Sequence, residues 1–512
     1  MTAGLKKGLT AFSRLSRTRC GAYALVAAIV LAAVIIRAQY FIGFALGDDL
    51  TYYSLSKNIL QGHWPIYTYL NQYAYRPLLL LSLAASFRLF GVNDFSFVLP
   101  ILASALLSIV VVFALGSALF NRQTGLIAAL LLTAMPSSVF NSVTFDNDVI
   151  ISCTMGIVML WFFKARQAGG RTQALLFSAA GLMLVISYLF KMSALFLLGV
   201  TAAISAADFF LHKKRFSSIW FYGSAAVFFG LVLCFYKIQT GEFLYHFHAE
   251  RVYYDTNIPD YYLSGAYDIG RMLLQYPAHW LTVQHIDGAA YREFGLYAYF
   301  FIAAMALMLW KAKRRYFALI LLWWVLALSA VLEFLPSNTQ PWYLPIPRQE
   351  RYLEILAMPM VLVIAWSMHW LARRSALPAA ALLAVLVVNA LINTHIRCSL
   401  VQDSIADLKQ VSRVLCQYNA ATVYADAPAL SQVVFRTNAC GTHVMKFDEL
   451  KKQLPPKGAY IISGGSRMFF WDPRLTRNIQ DEMPGLSLTP VMSFKQPRSM
   501  RSKGPMVLYR YD

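Results

Sequence analysis

The feature that most constrains this chain is a series of apolar segments, each long enough to cross a lipid bilayer. A transmembrane helix needs about 20 predominantly apolar residues. About eleven segments meet this requirement, near residues 21–44, 95–119, 124–141, 149–164, 173–190, 192–210, 217–236, 294–310, 316–335, 352–371 and 376–394. The shorter apolar segment 77–90 contains Arg88, so we interpret it as a helix that lies at the membrane surface or re-enters the membrane. The low charged fraction, 14%, excludes an ordinary soluble enzyme.

The charged residues indicate how these segments are oriented. The chain has 45 Lys and Arg residues against 25 Asp and Glu residues, an excess that by itself suggests nucleic-acid binding. Most of the basic excess, however, lies in the N-terminal arm and in alternate loops, where Asp208 is the only acid. These bases are Lys6, Lys7, Arg14, Arg17, Arg19, Arg122, Lys164, Arg166, Arg171, Lys213, Lys214, Arg215, Lys311, Lys313, Arg314, Arg315, Arg373 and Arg374. The positive-inside rule therefore predicts a cytoplasmic N-terminus, an outer C-terminus and no nucleic-acid partner.

The predicted fold is mostly α: a polytopic transmembrane helix bundle followed by a small soluble α/β domain. We place the bundle in residues 1–395, with two long outer loops at 47–94 and 237–293, and the outer domain in residues 396–512. The hydrophobic pattern of the outer domain alternates between helical and strand-like periods. It predicts helices near 401–418, 428–436 and 447–454, and strands near 421–424, 459–463, 488–494 and 506–511.

Cysteine and histidine spacing gives two weaker predictions. In the outer domain a disulfide can persist, and we predict the pair Cys416–Cys440, although sequence does not determine connectivity. The loop 237–293 contains His246 and His248, whose spacing would suit a metal, but no acidic ligand adjoins them and we predict no metal site there. Motifs for ATP, nicotinamide cofactors or thiolate zinc are absent from the sequence, so no cofactor is assigned.

The first outer loop holds the main candidates for catalysis. Asp48 and Asp49 directly follow the first span, where carboxylates must face water or a polar cavity. Repulsion within such a pair raises one pKa and suits a general base; the alternative is that the pair caps the following helix. Tyr52 and Tyr53 are candidates for lining the substrate or are interfacial anchors. Arg76 is placed to bind a phosphate, or extends to lipid headgroups.

Further candidates lie at the outer ends of later spans. Asp146 and Asp148 precede the fourth span and form a second acidic pair, in which we expect at least one residue to cap the helix. Lys191 is a lone cation between two spans, and Arg348 and Arg351 precede a late span. Each of these cations could hold a phosphate in a water-poor cavity, or could serve only as a snorkelling or ion-paired side chain.

These groups predict one cleft on the outer side that combines a carboxylate base with phosphate-binding cations. Arg271, in the loop 237–293, joins the candidates for lining the substrate. Sugar transfer from a polyprenyl-phosphate donor needs this combination, because a carboxylate deprotonates or positions the acceptor hydroxyl and cations stabilise the departing phosphate. The lipid tail of such a donor explains both the membrane location and the lack of a nucleotide motif.

The motifs that contain these residues also resemble those of a known protein family. Asp48-Asp49, a tyrosine at 52 or 53, the segment LSKNILQGHWPIY and the segment RPLLLLSLAASFRLFG together resemble the polytopic GT-C glycosyltransferases. More narrowly, the chain looks like the bacterial relatives of protein O-mannosyltransferases, lipid A aminoarabinose transferases and lipopolysaccharide-core galacturonosyltransferases. The second acidic pair, Lys191 and the segment RYLEILAMP also fit this pattern, and the resemblance covers roughly residues 20–370.

The resemblance implies an inverting transferase of the bacterial inner membrane whose active site faces the periplasm and whose base is Asp48. Its donor would be a polyprenyl-phosphate sugar, and its acceptor lipid A or lipopolysaccharide, another lipid-linked glycan, or a protein. Some members of the family use a divalent cation and others do not, so the resemblance leaves the metal open. Two departures are visible: Asp49 replaces a common Glu, and Tyr75-Arg76-Pro77 replaces the acid-Lys-Pro of aminoarabinose transferases, which argues against that chemistry.

Two other functions remain as alternatives. A transporter or flippase of polyprenyl-linked sugars would have related halves or broken helices with charges near mid-span. Here the charges cluster at the outer ends of spans, apart from Arg37 and Lys191. A catalytically inactive GT-C-like protein that acts as an assembly partner is the second alternative.

Overall fold

The structure is a computed structural model, and it describes most of the chain. The described residues are 18–45, 47–65, 67, 71–212, 217–257, 280–286, 289–311, 315–334, 336–338, 344–345, 350–425, 427–446, 449–450, 453–463, 483, 486–493 and 507–512. Two predicted site residues, Arg271 and Arg348, lie outside this part of the chain, as do residues 447–448 and 451–452 of the helix predicted near 447–454.

Apolar helices dominate the first three quarters of the chain. The helices described there are α1 Arg19–Gln39, α2 Gly47–Leu60, α3 Pro77–Phe90, α4 Asp94–Leu119, α5 Arg122–Ala134, α6 Pro136–Val143, α7 Asp148–Gln167, α8 Gly170–Phe190, α9 Phe196–His212, α10 Ile219–Thr240, α11 Tyr245–Asn257, α12 Tyr297–Lys311, α13 Arg315–Phe334, α14 Ala357–Ala372 and α15 Ala376–Gln417. Short 3₁₀ helices at Gln72–Tyr75, Met192–Leu195 and Glu350–Leu356, and two small hairpins, β1 Gln284–Ile286 with β2 Ala289–Tyr291 and β3 Pro336–Asn338 with β4 Leu344–Pro345, connect them.

Among the described residues, eight helices are long and apolar enough to cross a membrane, or nine if the bent pair α5–α6 forms one span. They are Arg19–Gln39, Asp94–Leu119, Asp148–Gln167, Gly170–Phe190, Met192–Phe210, Ile219–Thr240, Arg351–Ala372 and Ala376–Gln417. Helix α12 and the segment Ile320–Glu333 of α13 are apolar but shorter than this limit. The chain is therefore a multi-pass membrane protein, while the count of eleven spans and the orientation stay predictions.

The segment predicted as one span at 124–141 is broken in the middle. Helices α5 and α6 meet at an angle of 56°. Pro136 begins α6, and Met135 before it has an extended ψ of 123°. A residue that precedes proline is disfavoured in the helical region, and proline has no N–H to continue the hydrogen-bond ladder. The break directs α6 towards the end of the bundle where α7 begins.

The C-terminal part of the chain is a small α/β domain built on the end of α15. Helix α16 Ala427–Thr437 and strands β5 Thr422–Ala425, β6 His443–Lys446, β7 Tyr460–Ser463, β8 Leu488–Ser493 and β9 Val507–Tyr511 form it. The sheet order is β6-β5-β7-β9-β8, with β5 parallel to β6 and β7, and β9 antiparallel to β7 and β8. Four of these strands match predicted ones, whereas β6 at the sheet edge was not predicted.

Helix α15 joins the two parts of the molecule without a break. It has 42 residues, which at about 1.5 Å per residue is roughly twice the thickness of the hydrocarbon core. Its first half therefore fits within the membrane, and its second half packs Ile405, Leu408 and Val411 against the sheet. The domain boundary predicted at residue 395 falls inside this helix, which continues into the helix predicted near 401–418.

The predicted disulfide is present. Cys416 near the end of α15 is bonded to Cys440, which ends the 3₁₀ helix Asn438–Cys440 directly after α16. The Cα atoms are 5.5 Å apart. The bond holds α16 against the long helix, and α16 also packs against α2.

Candidate active site

The predicted site residues are brought together where several helix ends meet at one end of the bundle. Helix α2 starts just after α1, α7 starts at Asp148, and Lys191 adopts an extended conformation between α8 and the next 3₁₀ helix. The 3₁₀ helix Glu350–Leu356 packs against α7 and brings Arg351 to the same place. Helix ends leave polar backbone groups and side chains free of the apolar bundle, so a polar cluster forms here.

Asp48 is the most accessible carboxylate of the cluster. Its Oδ2 accepts a hydrogen bond from Nη2 of Arg351 at 3.1 Å, and its Oδ1 accepts one from the hydroxyl of Tyr73 at 3.0 Å. The side chain is still 39% exposed. Burial raises the pKa of Asp48, but the Arg351 charge and hydrogen bond, Tyr73 and Arg76 outweigh it and leave the pKa lowered. Asp48 is thus held as a carboxylate that can reach a substrate.

Arg76 lies next to this carboxylate and contacts two tyrosine side chains. Its Nη1 donates to the hydroxyl of Tyr52, and its guanidinium lies 5.7 Å from the ring centroid of Tyr52 and 5.6 Å from that of Tyr73. Nδ2 of Asn147 also donates to the Tyr52 hydroxyl, at 3.5 Å. Tyr52 is buried, so it orients the guanidinium from beneath, and the cation–π contacts stabilise it there.

The second acidic pair binds a third cation of the cluster, Lys191. Both oxygens of Asp148 accept hydrogen bonds from Nζ of Lys191, at 2.7 and 2.8 Å, and this ammonium also lies 4.4 Å from the ring centroid of Tyr352. The backbone N–H of Asp148 donates to Oδ1 of Asp146 at 2.9 Å. The N-cap residue of α7 is Asn147, whose side chain makes no capping bond, so Asp146 binds the first N–H of the helix from one residue earlier, and Asp148 anchors Lys191.

Burial shifts the protonation of this pair and its partner. It lowers the pKa of Lys191, against the opposing charge of Asp148. It also raises the pKa of Asp146, and the negative charge of Asp148 adds to that increase, while Arg351 and Lys191 oppose it. The pKa values of Asp48 and Asp146 therefore move in opposite directions, which is the arrangement that separates the roles of two carboxylates in one site.

Asp49 and Tyr53 make contacts of another kind. Oδ2 of Asp49 accepts the backbone N–H of Ala45 at 2.9 Å, and Asp49 is only 1% exposed. The ring of Tyr53 packs against Phe87 and Phe435, with centroids 6.1 and 5.2 Å away. Asp49 therefore binds the segment before α2 and not the first N–H groups of that helix, and Tyr53 lies in an apolar cluster that faces the C-terminal domain.

Sequence reasoning did not assign a site role to two residues of α11, His246 and Glu250. Nδ1 of His246 shares a hydrogen bond with the hydroxyl of Tyr188 at 2.6 Å, and its ring stacks on Tyr75 at 5.2 Å. Burial, assisted by the charge of Arg76, lowers the pKa of His246 to about 3, so the ring is neutral.

Glu250 faces the same cations. Burial raises the pKa of Glu250, and the positive charges of Arg76 and Lys191 oppose that increase. His246 and Glu250 are four residues apart, so they share one helix face, and this spacing is the signal that could have identified them. His248 points elsewhere, with its Nδ1 3.3 Å from an oxygen of Glu242 at the surface. Among the described residues no group of three His, Cys, Asp or Glu side chains could hold a metal ion.

Comparison with known proteins gives two kinds of similarity. Residues 76–236, which contain Arg76, both acids of the second pair and Lys191, match the family model "Dolichyl-phosphate-mannose-protein mannosyltransferase". No curated protein matches the chain by sequence. The structure of ArnT from Cupriavidus metallidurans bound to undecaprenyl phosphate is similar with a TM-score of 0.59 at 13% identity, covering 94% of this chain and 97% of that one. The chain has the GT-C fold.

Other proteins of known structure share the GT-C fold with this chain. The oligosaccharyltransferase of Archaeoglobus fulgidus, in complex with Zn and sulfate, has a TM-score of 0.55 at 12% identity and covers 86% of this chain and 68% of its own. The oligosaccharyltransferase AglB of the same organism, in complex with an inhibitory peptide and a dolichol-phosphate, has a TM-score of 0.52 at 12% identity, with 86% and 69% covered. The resemblance to GT-C glycosyltransferases inferred from sequence is thereby confirmed.

Proposed function

We propose that this protein is an inverting glycosyltransferase that moves a sugar from a polyprenyl-phosphate donor to an acceptor on the periplasmic face of a bacterial inner membrane. The observation that carries the proposal is the pairing of an accessible carboxylate, Asp48, with Arg351 beside Arg76 and Lys191. One similar structure has undecaprenyl phosphate bound and another a dolichol-phosphate, which supports a lipid-linked donor of the same class.

Asp48 acts on the acceptor in this proposal. Its Oδ2 and Oδ1 are oriented by Arg351 and Tyr73, and its exposed edge accepts the proton of the acceptor hydroxyl. The hydroxyl oxygen forms a bond to the anomeric carbon from the face opposite the phosphate, while the bond from that carbon to the phosphate oxygen breaks. The pKa of Asp48 is lowered, contrary to the raised value that repulsion within the pair suggested. Asp48 is therefore ionised before the reaction but is a weaker base, and in this proposal it orients the hydroxyl and accepts its proton as the hydroxyl attacks.

The cations act on the donor. The electron pair of the broken bond remains on the polyprenyl phosphate, whose negative charge increases in the transition state. Arg76, oriented by Tyr52, and Lys191, anchored by Asp148, are placed to stabilise that charge. Arg351 would contact both partners of the reaction, since it already binds the base. This division makes the phosphate a good leaving group without a general acid.

A flippase of polyprenyl-linked sugars is the alternative function that two features of the structure favour. A flippase would use broken helices and buried mid-span charge, and the α5–α6 bend and the buried Arg37 are the features that favour it. The guanidinium of Arg37 donates from Nε to Ser142 at 2.8 Å and from Nη1 to the carbonyl of Ala33 at 3.4 Å. The Ser142 contact ties α1 to α6, which is a structural use of the charge.

The test is a comparison of envelope glycans and lipid-linked sugars by mass spectrometry. Cells with the gene, without it, with Asp48→Asn and with Asp403→Asn, an exposed carboxylate on α15, are compared. We expect the deletion and Asp48→Asn to lose the same sugar from the same acceptor and Asp403→Asn to retain it. Full transfer by Asp48→Asn would overturn the proposed base. An unchanged profile in the deletion would favour the inactive partner, and loss of several glycans with an accumulated donor would favour the flippase.

A further inference from the structure

The segment that connects α1 to the first acidic pair is held tightly by its neighbours. Residues 41–45 lie between the end of the first span and the start of α2. The N–H groups of Ile42 and Gly43 both donate to the carbonyl of Val143, at 3.2 and 3.0 Å. Gly43 has φ +88°, and a Cβ at this position would lie 2.6 Å from the carboxyl of Asp94. Only glycine fits this conformation and this close approach.

The C-terminal domain contacts the carbonyl groups of the same segment. Four of its side chains donate hydrogen bonds to these carbonyls. They are Gln402 to Phe41 at 3.0 Å, Lys409 to Ile42 at 3.1 Å, and both Gln432 and Arg436 to Phe44 at 3.1 Å. The domain therefore binds three backbone carbonyls of one short segment, which restricts the movement of that segment.

Arg436 closes this arrangement. Its Nη1 binds Oδ2 of Asp94 at 2.7 Å, its Nη2 binds the Phe44 carbonyl, and Oδ1 of Asp94 accepts the Phe44 N–H at 3.0 Å. One guanidinium and one carboxylate thus hold both backbone polar groups of Phe44, and the side chain of Arg436 is 11% exposed. The planar fork of arginine makes two such bonds at once, which lysine cannot do in the same geometry.

The held segment is linked to the proposed base through the neighbouring residue, Asp49. Phe435, next to Arg436, stacks on Phe44 with centroids 4.1 Å apart, and the N–H of Ala45 is bound by Asp49. Asp49, which adjoins Asp48, thus links α2 to a segment that α16 holds, and α16 is tied to α15 through Cys416–Cys440. A shift of the segment would move the carboxylate away from the acceptor, and a displacement of about 1 Å costs up to 10²-fold in rate.

We propose that Arg436 is a positioning residue for the transfer site: together with Asp94 it holds Phe44, and so sets the place of Asp48. The coupling to transfer rests on the proposed function, whereas the hold on the segment does not. The C-terminal domain thereby becomes part of the catalytic machinery without contacting the reacting atoms.

Three measurements on the full-length protein test this inference. Hydrogen exchange of a peptide that covers residues 41–50 reports the hold directly, binding of undecaprenyl phosphate reports the phosphate site, and the fraction of acceptor modified in cells reports transfer. They are compared for Arg436→Gln, Arg436→Lys and Asp94→Asn. Lys446→Gln is the matched control, because Lys446 is an exposed cation on the edge strand β6 of the same domain.

For Arg436→Gln we expect exchange in 41–50 to rise about tenfold, transfer to fall about 10- to 100-fold and undecaprenyl phosphate binding to stay within about twofold. Asp94→Asn should follow it, Arg436→Lys should recover part of the transfer, and Lys446→Gln should match the wild type. Unchanged exchange in both Arg436→Gln and Asp94→Asn would overturn the hold. Raised exchange with full transfer would overturn the positioning role. A wild-type protein without transfer would count against the proposed function, and exchange would still decide whether Arg436 holds the segment.

Discussion

The two acidic pairs have the same residue type and similar spacing, but their surroundings give them different work. In each pair one carboxylate binds a backbone N–H, Asp49 that of Ala45 and Asp146 that of Asp148. The other binds a cation. Asp48, which binds Arg351, is 39% exposed, whereas the side chain of Asp148, which binds Lys191, is 2% exposed. The exposed member can meet a substrate, and the buried member can only position its cation.

The largest expected effect follows from that exposure. Asp48→Asn should lower the transfer rate about 10²- to 10⁴-fold, the range for loss of a general base, because the amide cannot accept the proton. The melting temperature should change little, since the side chain remains partly in water. Rate measurements on purified protein, with thermal unfolding alongside, check both parts. A variant that keeps more than about a tenth of the rate would show that Asp48 is not the base. The proposed difference in role between the two acidic pairs would then be wrong.

Asp148→Asn should instead act on stability. It leaves Lys191 buried without its counter-charge, and breaking a buried ion pair costs about 3–5 kcal/mol. Thermal unfolding of the single variant and of Asp148→Asn with Lys191→Gln measures this. The double variant should recover much of the loss, because it buries no uncompensated charge, yet transfer should stay low. Equal stability of the single variant and the wild type would contradict the anchoring role.

Arg76→Gln should weaken the donor site while the Asp48–Arg351 and Asp148–Lys191 ion pairs stay in place. Loss of a charge-assisted contact to phosphate is worth about 1.5–3 kcal/mol, so we expect undecaprenyl phosphate to bind roughly 10- to 150-fold more weakly. Arg88→Gln, which removes an exposed cation from the other end of α3, is the control and should bind normally. Equal binding by both variants would remove Arg76 from the phosphate site.

The pH dependence of transfer should distinguish the pairs as well. The pKa of Asp48 is lowered chiefly through Arg351, despite burial, so the base stays ionised as pH falls below the ordinary range of an aspartate. Arg351→Gln removes this effect, and the acid limb of the pH–rate profile should move to higher pH. The same linkage means that the stability contributed by Asp48 is lost as pH falls through its folded pKa. An acid limb that does not move would show that another group controls it.

The smallest effect is expected for Asp49→Asn. The amide oxygen can still accept the Ala45 N–H, so we expect a loss of about 0.5–1 kcal/mol in stability, within the range for one hydrogen bond, and transfer within about threefold of the wild type. Activity and thermal unfolding are compared with those of Asp48→Asn. A loss of transfer as large as in that variant would place both members of the first pair in catalysis.

Much of the fold followed from local patterns. Apolar runs predicted the helices, and the pattern of the outer domain predicted strands β5, β7, β8 and β9, because burial in a membrane or a sheet imposes a period that sequence displays. The α5–α6 bend was missed although Pro136 signals it, since an apolar run hides a break. The edge strand β6, with the short sequence HVMK, has too little pattern to predict.

The site was predictable in composition and not in geometry. Asp48, Arg76, Asp148, Lys191 and Arg351 were all candidates from their positions at span ends. Nothing local, however, distinguished Asp48 from Asp49. A one-residue step along α2 turns a side chain by about 100°, and only packing decides which of the two faces the cleft.

Sequence alone thus determined that the chain crosses a membrane repeatedly, that acids and cations gather at one side, and that a small domain follows. The tertiary structure decided which carboxylate stays accessible, which cation each one binds, and that Arg436 reaches Phe44 from 392 residues away in the chain. The reason is physical: hydrophobic period and charge bias act within a few neighbouring residues. The pKa values and contacts of a site arise from groups that meet only when distant helices pack.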